Sequence, residues 1–88
     1  MPSAPPVVVL YSQTGCTDSA RVRAWLTAQQ IPFVERNVTE DAAAAAALAA
    51  TGIFATPLLV VGGRQVFGFR PQAIADALRA AGLPLDSH

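Results

Sequence analysis

The sequence predicts an α/β domain in the order β-α-β-α-β-β-α, with a four-stranded mixed sheet and helices on both of its faces. Three observations carry this. Short apolar runs, Val7–Tyr11 and Leu58–Val61, alternate with segments of helical periodicity. A Gly62-Gly63 pair divides two strand-like runs, which is a hairpin signal. Glycine and proline fall between the segments, at Gly15, Pro32, Gly52 and Pro71.

Each element follows from its residues. Val7–Tyr11 is a β-branched run and reads as a strand buried on both faces. Ser12–Gly15 breaks it. From Thr17 the pattern turns helical, with Val22, Trp25, Leu26 and Gln29 on one face and Arg21 and Arg23 largely off it. Pro32 closes that region, and Phe33–Val38 reads as the second strand. Thr39 is the expected N-cap of the next helix, with Glu40 and Asp41 in its first turn, where the dipole favours anions. Ala42–Ala47 then has the highest helix propensity but little apolar area to bury, so Leu48 and Ile53 are its anchors, and Gly52 is its stop. Leu58–Val61 and Arg64–Phe67 form the hairpin, with Phe67 expected in the core. Gly68-Phe69-Arg70 turns the chain. Pro71 opens a last helix that runs to about Ala81, with Ile74, Ala77 and Leu78 inward and Gly82 as its stop. The first strand, helix and second strand make a parallel, right-handed unit.

Composition bounds the function classes. The 88 residues fit one domain, with 1–5 and 84–88 expected as frayed tails. The 52 % hydrophobic content supplies a core, and a lone cysteine excludes an internal disulfide. One Cys and one His do not make a four-ligand zinc site, so no metal is expected. Six basic and six acidic residues balance to zero, which leaves no basic footprint for nucleic acid. Every basic residue is arginine, so no side-chain amine serves as a Schiff base. The N-terminal stretch lacks a basic residue, and the apolar run behind it is too short for a signal peptide or membrane span. A cytoplasmic, monomeric protein with a reduced thiol is the expectation, with no membrane partner.

One position carries chemistry. Cys16 falls between the first strand and the first helix, in Thr14-Gly15-Cys16-Thr17-Asp18-Ser19. Unpaired N–H groups and the positive dipole end of a helix N-terminus stabilise a thiolate there. Small polar neighbours argue against a buried structural cysteine. Ser19 has two readings: a hydroxyl that hydrogen-bonds the thiolate, or a side chain facing solvent in the first turn. The Asp18 carboxylate is expected to oppose the thiolate, with Arg21 offsetting it in part.

Four features together resemble a glutaredoxin-type member of the thioredoxin superfamily, close to the short bacterial glutaredoxins and NrdH-type redoxins. They are Tyr11-Ser12 followed by Cys16-x-x-Ser19, then Ala55-Thr56-Pro57, the Gly62-Gly63 hairpin, and Gly68-Phe69-Arg70-Pro71. The resemblance implies a thioredoxin-like fold from about Val7 to Ala81. It makes Cys16 the nucleophile and puts Ser19 where dithiol members carry a resolving cysteine. It implies a cis peptide at Thr56-Pro57, with the backbone of Thr56 pairing with a bound thiol compound, and space for glutathione at Gly68. Tyr11, Gln13, Phe69 and Arg70 complete the expected thiol-binding set. The chain departs from the family's pattern at Gln13, near a position that is often lysine, and at Arg70, where an acidic residue often holds glutathione. Cys-Thr-Asp-Ser also differs from the Cys-Gly-Phe-Ser of cluster-binding members.

With one cysteine, the implied activity is monothiol exchange between protein mixed disulfides and a small thiol such as glutathione, which is a co-substrate and not a resident cofactor. A thiol reductase system would accompany it. The alternative is a non-catalytic binding module on the same scaffold, such as an iron–sulfur cluster carrier or a redox adaptor.

Overall fold

The computed structural model describes residues 7–83 and 85. The expected tails therefore lie outside the described residues, apart from Leu85, which is half-buried against the core. The elements are β1 (Val8–Ser12), α1 (Thr17–Ala28), β2 (Val34–Asn37), α2 (Ala42–Ala50), β3 (Leu58–Val61), β4 (Arg64–Phe67) and α3 (Pro71–Ala80). They follow the predicted order.

The sheet runs β2-β1-β3-β4. β1 and β2 are parallel, with Tyr11 opposite Arg36 and Ser12 opposite Asn37. β3 returns antiparallel on the other side of β1, with Leu10 opposite Leu59, and β4 closes the hairpin. β1 is therefore an inner strand, and its C-terminal end feeds the loop that carries Cys16.

The period-two alternation of β1 and β3 divides the core into two layers. Val8, Leu10, Leu59 and Val61 meet Val22 and Leu26 of α1 and Ile74, Ala77 and Leu78 of α3. Tyr11 and Leu58 point the other way and meet Leu48 of α2, with Val9, Val60 and Ile53 at the margin. Trp25 packs half-buried on the first layer. Each fully buried Leu or Val contributes about 1.5–3 kcal/mol of apolar transfer.

Two expectations are corrected here. Thr39 does not cap α2. Asp41 does, accepting from the Ala43 N–H at 2.9 Å, because Asn37–Asp41 forms a turn first and delays the helix to Ala42. Phe67 is 48 % exposed. It sits opposite Leu58 in the register, on the α2 face, but at the edge strand farthest from β2.

Candidate active site

The site begins with a turn. The Cys16 N–H donates to the Gln13 carbonyl at 3.1 Å, and Gly15 has φ +80°. A turn with a positive φ at its third position favours glycine there. The turn delivers Cys16 as the N-cap of α1, and its carbonyl accepts from the Ala20 N–H.

Half-buried Cys16 is the free thiol of the chain. Its pKa lies below the ordinary thiol value. The Ser19 hydroxyl is the largest cause, followed by the Ser19 backbone N–H; the Thr56 hydroxyl and the Asp18 N–H add to them, while partial burial works the other way. Ser19 is 0 % exposed, so the solvent-facing reading is overturned. Its Oγ lies close enough to the sulfur to favour the thiolate, yet it falls outside the geometry of a closed hydrogen bond with any described residue. A buried hydroxyl without a partner is costly, and a thiolate accepts from it more strongly than a thiol does.

The expected opposition from Asp18 is also corrected. Its carboxylate faces Arg21 at 3.3 Å and is not among the causes acting on Cys16. What Asp18 offers the thiol is its backbone N–H.

The flanks of Cys16 come from distant segments. Thr56 donates through Oγ1 to the Gln13 Oε1 at 3.1 Å. The Thr56–Pro57 peptide is cis, and the buried Pro57 accepts through its carbonyl from the Gly68 N–H at 2.9 Å. Hydrogen bonds thus join Cys16 to Gln13, Gln13 to Thr56, and Pro57 to Gly68. Arg70 is exposed at the N-cap of α3, with no ion pair to a described residue. Tyr11 and Phe69 stand apart from these contacts. Tyr11, 8 % exposed, packs in the α2 layer with Arg36 over its ring, because a strand-end residue of that parity faces α2. Phe69 packs half-buried against the α1/α3 layer and lines no pocket found beside Cys16.

Sequence reasoning missed the β2 side. The Ser12 hydroxyl donates to Glu35 at 2.7 Å, and Arg23 grips both Glu35 oxygens at 2.7 and 2.6 Å. Arg23 is the first cause holding the Glu35 carboxyl below its ordinary pKa, with the Ser12 hydroxyl assisting against partial burial. Above this lies a second network. The Thr14 N–H donates to Thr39 Oγ1, the Asn37 amide donates to Thr14 Oγ1, and that hydroxyl donates to Glu40. Between the networks a groove of about 480 Å³ opens at Cys16, walled by Ala20, Arg23, Gln13, Thr14 and Asn37.

The arrangement places an acidified thiol at a helix N-terminus beside a cis-proline loop. The glutaredoxin family model matches residues 8–66. The chain belongs to the glutaredoxin family. In structure it is similar to the thioredoxin-like protein BC3987, with a TM-score of 0.76 and 28 % identity over 81 % of this chain and 99 % of that one. It is likewise similar to the glutaredoxin-like NrdH-redoxin of Escherichia coli, with a TM-score of 0.71 and 26 % identity over 78 % of this chain and 91 % of that one. Among curated proteins, the global transcriptional regulator Spx of Bacillus subtilis (strain 168) is 50 % identical over 35 residues, which is 40 % of this chain and 27 % of Spx. The chain therefore spans about a quarter of the length of the curated relatives it matches. A glutaredoxin fold with an acidified cysteine at this junction supports a thiol–disulfide redox role. Among the described residues, no helix is long and apolar enough to cross a membrane.

Proposed function

We propose that this glutaredoxin-family chain catalyses monothiol exchange between a protein mixed disulfide and a small thiol. The observation that carries the reading is the pairing of one nucleophilic cysteine with a fully buried serine three positions on. A dithiol relative would resolve its mixed disulfide internally; Ser19 has no sulfur with which to do so. The Cys16 thiolate attacks the small-thiol sulfur of protein–S–S–R. The Cys16–S–S–R bond forms, the protein–sulfur bond breaks, and the electron pair leaves with the protein thiolate, which takes a proton. A second thiolate R′–S⁻ then attacks the sulfur bonded to R, the Cys16 sulfur–sulfur bond breaks, and R–S–S–R′ leaves with Cys16 returned as thiolate. Electrons balance at each step, and an external thiol reductase would reduce R–S–S–R′. Such chemistry fits a reducing compartment such as the cytoplasm.

Each residue has a task in this scheme. Ser19 and the first-turn N–H groups hold the charge of Cys16 as attacking and leaving group. The Thr56 backbone beside the cis-proline is the pairing edge for the bound disulfide, and Gly68 keeps the adjacent strip clear of a side chain. Gln13 and Arg70 flank it as polar contacts.

The test is turnover of a glutathionylated peptide with glutathione as reductant. Activity above the uncatalysed rate that disappears in Cys16→Ser is the expected result. A chain that accumulates as the Cys16 mixed disulfide without turnover, or one purified with visible iron–sulfur absorption, would overturn the reading.

A further inference from the structure

The loop that carries Cys16 is tied to its surroundings on both sides by adjacent residues. Thr14 ties it to the turn before α2, through Thr39, Asn37 and Glu40. Gln13 ties it to the cis-proline loop, 43 positions on, where its Oε1 accepts the Thr56 hydroxyl at 3.1 Å. The backbone of Gln13 also fixes the nucleophile. The Cys16 N–H donates to the Gln13 carbonyl at 3.1 Å, and both residues line one opening.

Thr56 therefore has two acceptors in reach. One is Gln13 Oε1, which it meets; the other is the Cys16 sulfur, whose thiolate its hydroxyl favours. A threonine hydroxyl has a single proton to give, so the two acceptors compete. A thiol is a weak acceptor, and the amide oxygen wins over it. A thiolate wins over the amide, because a charge-assisted bond is about twice as strong as a neutral one. The exchange needs only the O–H to turn about the Cβ–Oγ1 bond. The charged groups around the site stay out of this competition. Asp18 pairs with Arg21, Arg23 with Glu35 of β2, Glu40 takes the Thr14 hydroxyl, and Arg70 is exposed at the N-cap of α3. From Ala42 to Gly63, the cis-proline loop included, there is no charged residue.

We propose that Gln13 is a positioning residue for the nucleophile: it holds the Thr56 hydroxyl while Cys16 is a thiol and yields it to the sulfur when the thiolate forms. The proposal deepens the exchange reading, because that thiolate is the attacking species. Ionisation of Cys16 breaks the Gln13–Thr56 tie, so Gln13 raises the pH at which Cys16 becomes charged. The same event frees the Gln13 side chain from the cis-proline loop before a disulfide enters.

The test is the pH midpoint of Cys16 alkylation by iodoacetamide, in which the sulfur–carbon bond forms and iodide leaves with the electron pair. Gln13→Ala removes the acceptor, and Gln13→Asn shortens its reach. Each should lower the midpoint by roughly half a unit, the scale of one neutral hydrogen bond. Thr56→Val should raise the midpoint, and adding Gln13→Ala to it should change nothing further. A merely structural tie predicts the opposite sign for Gln13→Ala, since a loosened Thr56 serves the thiolate less well. A midpoint that rises or stays unchanged in Gln13→Ala overturns the proposal, as does an equal fall in the Thr56→Val background. Gln13 is exposed, so the sign of its single variants decides the matter even if Thr56→Val fails to fold. Alkylation requires no turnover, so this result is independent of the peptide assay: a chain inert in that assay would overturn the exchange reading and leave the Gln13 result standing.

Discussion

At Cys16 the acidity has a named local origin, and that makes it testable. The first cause is the Ser19 hydroxyl, a buried group without a closed bond in the thiol state. Ser19→Ala removes that donor and leaves the backbone N–H groups in place. The pH at which alkylation of Cys16 reaches half its maximal rate should therefore rise in Ser19→Ala and stay near the native value in Asp18→Asn. An unchanged profile in Ser19→Ala would remove Ser19 from the site. The same acidity has a consequence for stability. The folded chain holds the thiolate better than the unfolded chain does, where the thiol titrates near about 8.5. The contribution of Cys16 to folding is fully present above that unfolded value and is lost as pH falls through the lower, folded one. The stability gap between the native chain and Cys16→Ala should therefore be larger at about pH 9 than at about pH 6, measured by urea melts. A gap independent of pH would contradict a depressed thiol pKa.

Element ends separate what patterning predicts from what geometry decides. The end of α1 was marked in the sequence by Pro32, but the helix stops earlier, at Ala28. The Ile31 N–H bonds the Leu26 carbonyl and the Gln30 N–H bonds the Thr27 carbonyl, a six-to-one and five-to-two closure around Gln30 at φ +58°. A side chain there is strained, and glycine is free of that penalty. Gln30→Gly should stabilise the chain by about 0.5–1 kcal/mol, or roughly 2–8 °C in Tm, and a lower Tm would argue against the closure. The start of α2 was ambiguous for a different reason. Thr39, Glu40 and Asp41 are all good residues for a helix start, and only the preceding turn selects among them. Asp41→Ala should cost about 0.5–2 kcal/mol in a chemical melt as the cap is lost. Thr39→Ala should cost less, because its oxygen holds the Thr14 N–H and not the helix; its effect should appear as faster exchange of the Thr14 amide.

Across the whole molecule, the legible features are those that repeat along the chain or punctuate it. Strand runs, helical stripes and the Gly-Gly hairpin each carry a local signal, so the order of elements was readable. Cys16 was readable from its place between a strand and a helix, whereas Thr56, Pro57 and Gly68 were legible only through the resemblance of their motifs to the glutaredoxin family. Arg23–Glu35 and Thr14–Thr39 were not, because they depend on the register that sets Ser12 against Asn37, and no local pattern encodes a parallel register. Phe67 was misplaced because alternation predicts a face but not whether a helix reaches over it. The same asymmetry governs how the layers hold together. α1 and α3 bury Val22, Leu26, Ile74, Ala77 and Leu78 against the sheet, whereas α2 buries only Ala44 and Leu48. An alanine methyl removes little area from water, so α2 is held by one leucine, its Asp41 cap and helix propensity. Segments with few buried apolar contacts open at lower free energy than the global unfolding reaction. Hydrogen exchange should then find the amides of Ala46–Ala50 less protected than those of Leu10, Leu59 and Leu78, with α2 opening as a unit while the other layer stays closed. Leu48→Ala should widen that difference, since it removes the one large side chain that α2 buries. Equal protection in both layers would mean that α2 is anchored by packing its alanines closely, and the two-layer account of the core would have to be replaced by a single cooperative one.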